Sequence, residues 1–243
     1  MKNLKFSGLI VLIALAAGSC KKGGLVCYKG NDTIVKETRS VKDFNCINLS
    51  SNADIYITQA ETFSVEVEAS ENLLEIIETE VKNECLKIDT KRNKCIKGKN
   101  TPVVYISLPD LTGVTISGSG NIYINETLTA GRMDFKISGS GDVYAKDLVL
   151  DNLTLKVSGS GTFDLSSTKI ANDLNIEVSG SGDFNGLDFP TVNADIKVSG
   201  SGDCKVNVSE YLKVVISGSG SVEYKGNPSI DQKVTGSGSI RQY

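Results

Sequence analysis

Ser117-Gly118-Ser119-Gly120 recurs along this chain in close copies. These are Ser138-Gly139-Ser140-Gly141, Ser158-Gly159-Ser160-Gly161, Ser179-Gly180-Ser181-Gly182, Ser199-Gly200-Ser201-Gly202 and Ser217-Gly218-Ser219-Gly220, with Thr235-Gly236-Ser237-Gly238 as a variant. Such runs can cradle a phosphate, bind calcium when acids follow, link domains loosely or turn a corner. A Walker-type phosphate loop needs Gly-x4-Gly-Lys-Ser/Thr opening a helix. No such string occurs, and strand-like alternation follows every copy. Calcium takes about six to eight oxygen ligands, and calcium β-rolls repeat about every nine residues. Here the residues after the copies are Asn121, Asp142, Thr162, Asp183, Asp203, Ser221 and Ser239, a broken acidic row on a longer period. Small polar side chains that close a corner suit all seven positions.

Other chemistries are thinly represented. The chain has no His and no Trp, which removes the usual general base and the Ser–His and Cys–His pairs. Without His or a CxxC pair a zinc site is not expected. Cys204 falls in the same apolar row as Ile122, Val143, Phe163, Phe184, Val222 and Ile240, so it reads as a buried member of a stack. Cys27, Cys46, Cys85 and Cys95 allow three pairings. Cys85 and Cys95 flank one strand and its loop, and their bond is the first expectation. Acidic residues between Glu61 and Glu80 are the candidates for carboxylate catalysis on a polysaccharide. Tyr56, Tyr123 and Tyr144 share an outward row and could stack on sugars; ordinary outward strand tyrosines are the plainer alternative. No cofactor or metal is expected.

The elements that position these residues follow from the spacing. The copies are stepped by 21, 20, 21, 20, 18 and 18 residues. A period this regular marks a repeat architecture, whereas a linker has no reason to keep register. Before the corners stand pairs such as Val114/Ile116, Phe135/Ile137 and Leu155/Val157; after them come Ile122/Ile124, Val143/Ala145 and Phe163/Leu165. Alternation by two gives strands with one buried face. Twenty residues at strand rise trace about 66 Å, a small ring of about three sides, and rings stack at about 4.8 Å. The expectation is an all-β fold: a right-handed parallel β-helix with coils of about 20 residues, Ser-Gly-Ser-Gly corners and an irregular N-terminal part. The corner glycines are expected to supply positive φ and to avoid Cβ clashes.

Residues 47–57 align with 114–124 as a degenerate coil without glycines. Between them strands are predicted over 63–69, 75–81, 85–90 and 102–108. One helical turn capped by Ser70 is predicted over 70–74, and a basic loop over 91–101. All four prolines are expected to avoid strand interiors. The proposed boundaries are 1–19 for a leader, 20–37 for a tether, 38–113 for the irregular part and 114–243 for regular coils.

Lys2, Lys5 and the apolar run 9–17 read as a signal peptide, and Leu15-Ala16-Ala17-Gly18-Ser19-Cys20 resembles a bacterial lipoprotein box. The box implies cleavage before Cys20 and its acylation, hence an envelope protein held in a membrane, the outer one favoured. The formal net charge is −3, and loss of Lys2 and Lys5 makes it more negative. That disfavours nucleic-acid binding.

The strings LPDLTGVTISGSGNIYI (108–124), VSGSGD and SNADIYITQ (51–59) resemble the bacterial autotransporter-adhesin head (GIN) domain family. The resemblance covers about residues 38–240. It implies a β-helical fold, an export signal and a place among Bacteroidetes envelope lipoproteins. No translocator barrel follows Ile240 in this sequence. The leading functional expectation is a non-enzymatic envelope lipoprotein that binds a glycan or an envelope or host protein, or is structural. The rival is a carbohydrate-active enzyme. Self-association through the last coil is a further expectation.

Overall fold

The computed structural model describes residues 24–243; the leader and the acylation site Cys20 lie outside the described residues. The regular part is a stack of parallel coils. β10 (Gly113–Ile116) leads into the first full corner, followed by β11 (Ile122–Ile137), β12 (Val143–Val157), β13 (Phe163–Leu165), β14 (Ala171–Val178), β15 (Phe184–Val198) and β16 (Cys204–Ile216). Each strand pairs in parallel with its equivalent one repeat on, as in Ile137 with Val157 and Phe184 with Cys204. β17 (Val222–Lys225), β18 (Ser229–Val234) and β19 (Ile240–Gln242) complete the last coil.

The alternation read in the sequence is the cause of the stack. Ile116, Ile137, Val157, Val178, Val198 and Ile216 form one buried row before the corners; Ile122, Val143, Phe163, Phe184, Cys204 and Val222 form another after them. Burying each such Val, Ile or Phe is worth about 1.5–3 kcal/mol. β-Branched side chains also suit a pleated surface with one covered face.

The N-terminal part closes the stack. β3 (Cys46–Leu49) and β4 (Asp54–Gln59) sit under β10 and β11, with Ile47 on Val114, Leu49 on Ile116 and Ile55 on Ile122. This reproduces the degenerate-coil alignment pair by pair. Below them lie β7 (Cys85–Thr90), parallel to β3, and β9 (Val103–Leu108), parallel to β4. Antiparallel strands then cap the end: β2 (Ile34–Thr38) on β5 (Ser64–Ser70), β5 on β9, and β6 (Ile77–Lys82) on β7. A separate two-stranded parallel sheet joins β1 (Val26–Lys29) to β8 (Lys94–Lys97).

Several expectations need correction. The stretch read as a tether carries β1 and most of β2, because Val35 packs against the core and Cys27 is bonded into the fold. The basic loop contains β8, which found its partner in β1. The single turn α1 (Glu71–Leu74) does follow Ser70, but the Ser70 hydroxyl donates to the Asn31 carbonyl at 2.7 Å instead of accepting from the helix. Pro190 lies inside β15. It is tolerated because the β15–β16 register slips between Gly186 and Pro190, where no ladder donor is required.

The disulfide expectation is also overturned. The bonds are Cys46–Cys85 and Cys27–Cys95, not Cys85–Cys95. The reason is register: Cys46 faces Cys85 across β3 and β7, and Cys27 faces Cys95 across β1 and β8, with Cα atoms 4.5 and 4.4 Å apart. Neighbours across parallel strands are within bonding reach. Proximity along the chain says nothing about that.

Candidate functional site

The corners are a lattice of main chain. From the second copy on, the second Ser amide donates to the first Gly carbonyl of the copy before: Ser140 to Gly118, Ser160 to Gly139, Ser181 to Gly159, Ser201 to Gly180 and Ser219 to Gly200 at 3.0 Å, and Ser237 to Gly218 at 3.1 Å. Glycine is required here by this close approach. A Cβ on Gly139 would fall on the Gly118 carbonyl oxygen, closer than 3.0 Å, and the same holds at each copy. The expectation of positive φ is incorrect: the glycines with φ in the left-handed region are Gly98 and Gly226, neither in a corner.

The polar residue after each corner has a defined task. The Asn121 amide donates to Asp54 Oδ1 at 3.0 Å, Asp142 to Asn121 Oδ1 at 2.9 Å and Thr162 to Asp142 Oδ1 at 2.7 Å. Asp203 donates to Asp183 Oδ1, and Ser221 to Asp203 Oδ1, both at 2.7 Å. Asp54, Asn121, Asp142, Asp183 and Asp203 therefore each spend one side-chain oxygen on capping the next coil, while the Ser221 hydroxyl accepts from that of Ser239 at 3.2 Å. Among the described residues no group of three or more His, Cys, Asp or Glu is placed to hold a metal.

Outside this lattice stands an aromatic ladder. Tyr56 follows the degenerate corner, Tyr123 and Tyr144 follow the next two, and register stacks them outward: Tyr56–Tyr123 centroids at 4.8 Å and 17°, Tyr123–Tyr144 at 5.3 Å and 10°. A fourth member, Tyr105 on β9, stacks on Tyr56 at 5.6 Å and 24°. Sequence reasoning missed Tyr105 because β9 is preceded by no corner motif to set its register. The Lys36 ammonium closes this end 4.5 Å from the Tyr105 ring centre, held there by Glu66 at 2.9 Å and Glu68 at 3.4 Å.

Stacking fixes what the ladder can do. Its ring faces lie against one another, so solvent meets ring edges and hydroxyls, with Tyr105 and Tyr144 each 37% exposed. Of the two end faces of the stack, that of Tyr105 meets the Lys36 ammonium, and that of Tyr144, on the side of its register partner Asp164, is covered by no ring of the ladder. The Tyr144 hydroxyl donates to Asp142 Oδ2 at 3.1 Å, and Asn121 Nδ2 donates to the Tyr123 hydroxyl at 3.4 Å. Partial burial raises the Tyr105, Tyr123 and Tyr144 pKa values above the usual phenol range, so these hydroxyls stay protonated. The ladder is a row of neutral donors and acceptors backed by flat apolar area.

The remaining candidates are not gathered. Glu66 and Glu68 on β5 pair with Lys36, and Glu80 on β6 pairs with Lys82 at 2.8 Å. β5 and β6 flank different sides of the stack, through β9 and β7. Cys204 is buried, its thiol pushed up to about 12 by desolvation, and is unsuited to nucleophilic work.

Similarity to solved proteins agrees with this architecture. A "putative adhesin" of Bacteroides fragilis is similar in fold over 89% of this chain and 100% of its own, with 24% identity and a TM-score of 0.84. A "putative adhesin" of Parabacteroides distasonis matches over the same shares at 25% identity and a TM-score of 0.72. A "putative lipid binding protein" of that organism matches over 89% and 99%, at 26% identity and a TM-score of 0.76. No curated protein matches the chain. The chain belongs to the family described as "Putative auto-transporter adhesin, head GIN domain", whose model matches residues 43–228.

Proposed function

We propose that this protein is an exported, lipid-anchored envelope protein that binds and does not catalyse, holding a glycan or an envelope or host protein along its tyrosine ladder. The observation that carries this reading is the run of four stacked tyrosines on β9, β4, β11 and β12. An extended ligand lying across these strands would meet a row of hydroxyls and ring edges, and at Tyr144 one ring face. The sugar-stacking role expected of Tyr56 and Tyr123 narrows accordingly, since their faces are occupied by other rings. One structural neighbour is described as lipid-binding. The interior of this chain is filled by side chains such as Phe135, Phe163, Phe184 and Phe189, which favours a polar ligand outside over an acyl chain within.

A glycan array probed with the wild type and with Tyr123→Thr/Tyr144→Thr tests the reading. Thr keeps strand propensity at both outward sites. Loss of bound glycans in the variant supports the ladder; equal binding by both removes the ladder as the site, and binding by neither removes the glycan ligand. Turnover of a polysaccharide, abolished by changing one carboxylate, would replace binding with catalysis.

Anchoring through Cys20 belongs to the same reading. Cys20→Ala is expected to move the protein from the detergent phase to the aqueous phase in a phase-partition assay. Self-association is proposed at the last coil, where Ile230 and Val234 are 38% and 42% exposed on the outer strand. A single monomeric species in sedimentation at high concentration would contradict it.

A further inference from the structure

We infer that the cleft beneath the first corner is a binding site for an oxyanion ester, a phosphate or a sulfate. It goes beyond the ladder reading and shares no lining residue with the ladder, so the two can fail separately. The cleft is open to solvent and offers about 730 Å³ between the corner residues Ser50–Asn52 and the turn at 91–94. That lies within the usual size of a small-molecule site, about 300–1,000 Å³.

The stacking rule shows why donors converge here. From the second full corner on, the amide at the third position donates to the coil before, as Ser140 does to Gly118; at the first, Gly120 rather than Ser119 donates to Ser51 O, at 3.3 Å. Asn52 holds that position in the earliest corner. The preceding strand, β7, makes no corner beneath it: the chain leaves at Lys91, whose own amide donates to Ile76. The Asn52 amide therefore has no acceptor among the described residues, and neither does that of Ser51. Ser51 and Asn52 both line the cleft, so two main-chain amides without a backbone acceptor belong to the residues of its wall. Adjacent free amides form an anion-binding concavity. Ser51 is 93% buried as a residue, its hydroxyl oxygen accepting from the Ala53 amide at 3.3 Å, which leaves its own proton to donate.

The charges agree. Lys87, Lys91, Arg92 and Lys94 line the cleft against two carboxylates, Glu78 and Asp89. Asp89 is already occupied by Lys87 at 2.8 Å and by the Thr90 amide at 2.7 Å. Lys91 and Arg92 are exposed and pair with no carboxylate among the described residues. This is a cationic spot on a chain of net negative charge. Its wall is held in place: the turn closes through Lys94 N–H to Lys91 O at 2.9 Å, Val26 N–H reaches Asn93 O at 3.0 Å, and Cys27–Cys95 fastens β1 to β8. Asn93 sits at φ 62, a conformation Asn tolerates.

Titration calorimetry of the full chain with glucose 6-phosphate, glucose 6-sulfate and glucose tests the site. One or both esters should bind one-to-one and weaken with added salt, glucose should not bind, and the tighter ester identifies the source. Lys91→Glu/Arg92→Glu should weaken that ester by roughly tenfold or more, since two charge-assisted contacts are reversed. Lys156→Glu, on another face, should leave it unchanged. Amide exchange over residues 50–53 should slow when the ester is bound. Failure of both esters to bind, equal binding of glucose, wild-type affinity in Lys91→Glu/Arg92→Glu, or unchanged exchange over 50–53 would overturn the inference.

Discussion

Gly139 and Gly131 separate two meanings of glycine in this chain. A Cβ at Gly139 collides with the coil beneath, whereas at Gly131 the nearest atom is 3.8 Å away. Gly139→Ala is therefore expected to cost about 1–3 kcal/mol through overpacking, and Gly131→Ala to stay within about 0.5 kcal/mol of wild type. Chemical denaturation of the two variants checks this. Asp147 gives a pH-dependent counterpart. The Thr168 amide, followed by the Thr127 hydroxyl, holds its carboxyl below the usual carboxylate range. A depressed folded-state pKa contributes stability above the unfolded pKa and loses it as pH falls through the folded one. Asp147→Ala should destabilise at neutral pH, and the gap to wild type should close on acidification below the carboxylate range. At this scale the sequence was legible wherever the repeat set the register. Cys204 and three of the four tyrosines stood in identifiable rows, while Tyr105, in a strand with no corner before it, did not.

At the scale of elements, an Asn or Asp after a corner couples one coil to the next. Asp142→Ala removes the acceptor of the Thr162 amide and should cost about 1.5 kcal/mol, the worth of a hydrogen bond to a charged group. The coil strands were legible because alternation and corners agree on them. The capping strands were less so. β1 and β8 are short, belong to stretches rich in Lys and Gly, and gain their place from each other and from a disulfide. Disulfide partners are set by strand register across 39 and 68 residues, which no local pattern encodes. Non-reducing peptide mapping should recover 46–85 and 27–95 and no 85–95 peptide; the latter would contradict the strand pairing at this end.

For the whole molecule, stability is a sum over coils and their interfaces. Among the described residues the last coil has a partner on one side alone, through β16–β18 and β17–β19, and every residue of β18 is exposed. Amide exchange is expected to be slowest in β12, β14 and β15 and fastest in β18 and β19. Gly236→Ala should also cost less than Gly180→Ala, because the outer coil can shift. On the proposed reading the glycine corners build the scaffold and the ladder's ligand lies on a face between them, while the proposed oxyanion cleft lies at the end of the corner stack, under the degenerate corner at 50–53. The most direct test is ligand retention by Gly159→Ala beside Tyr123→Thr/Tyr144→Thr, each held well below its melting temperature. The account predicts that Gly159→Ala melts early yet still retains the ligand, whereas the tyrosine variant melts like wild type and releases it. Loss of binding in folded Gly159→Ala, with binding intact in the tyrosine variant, would place the site at the corners and contradict it.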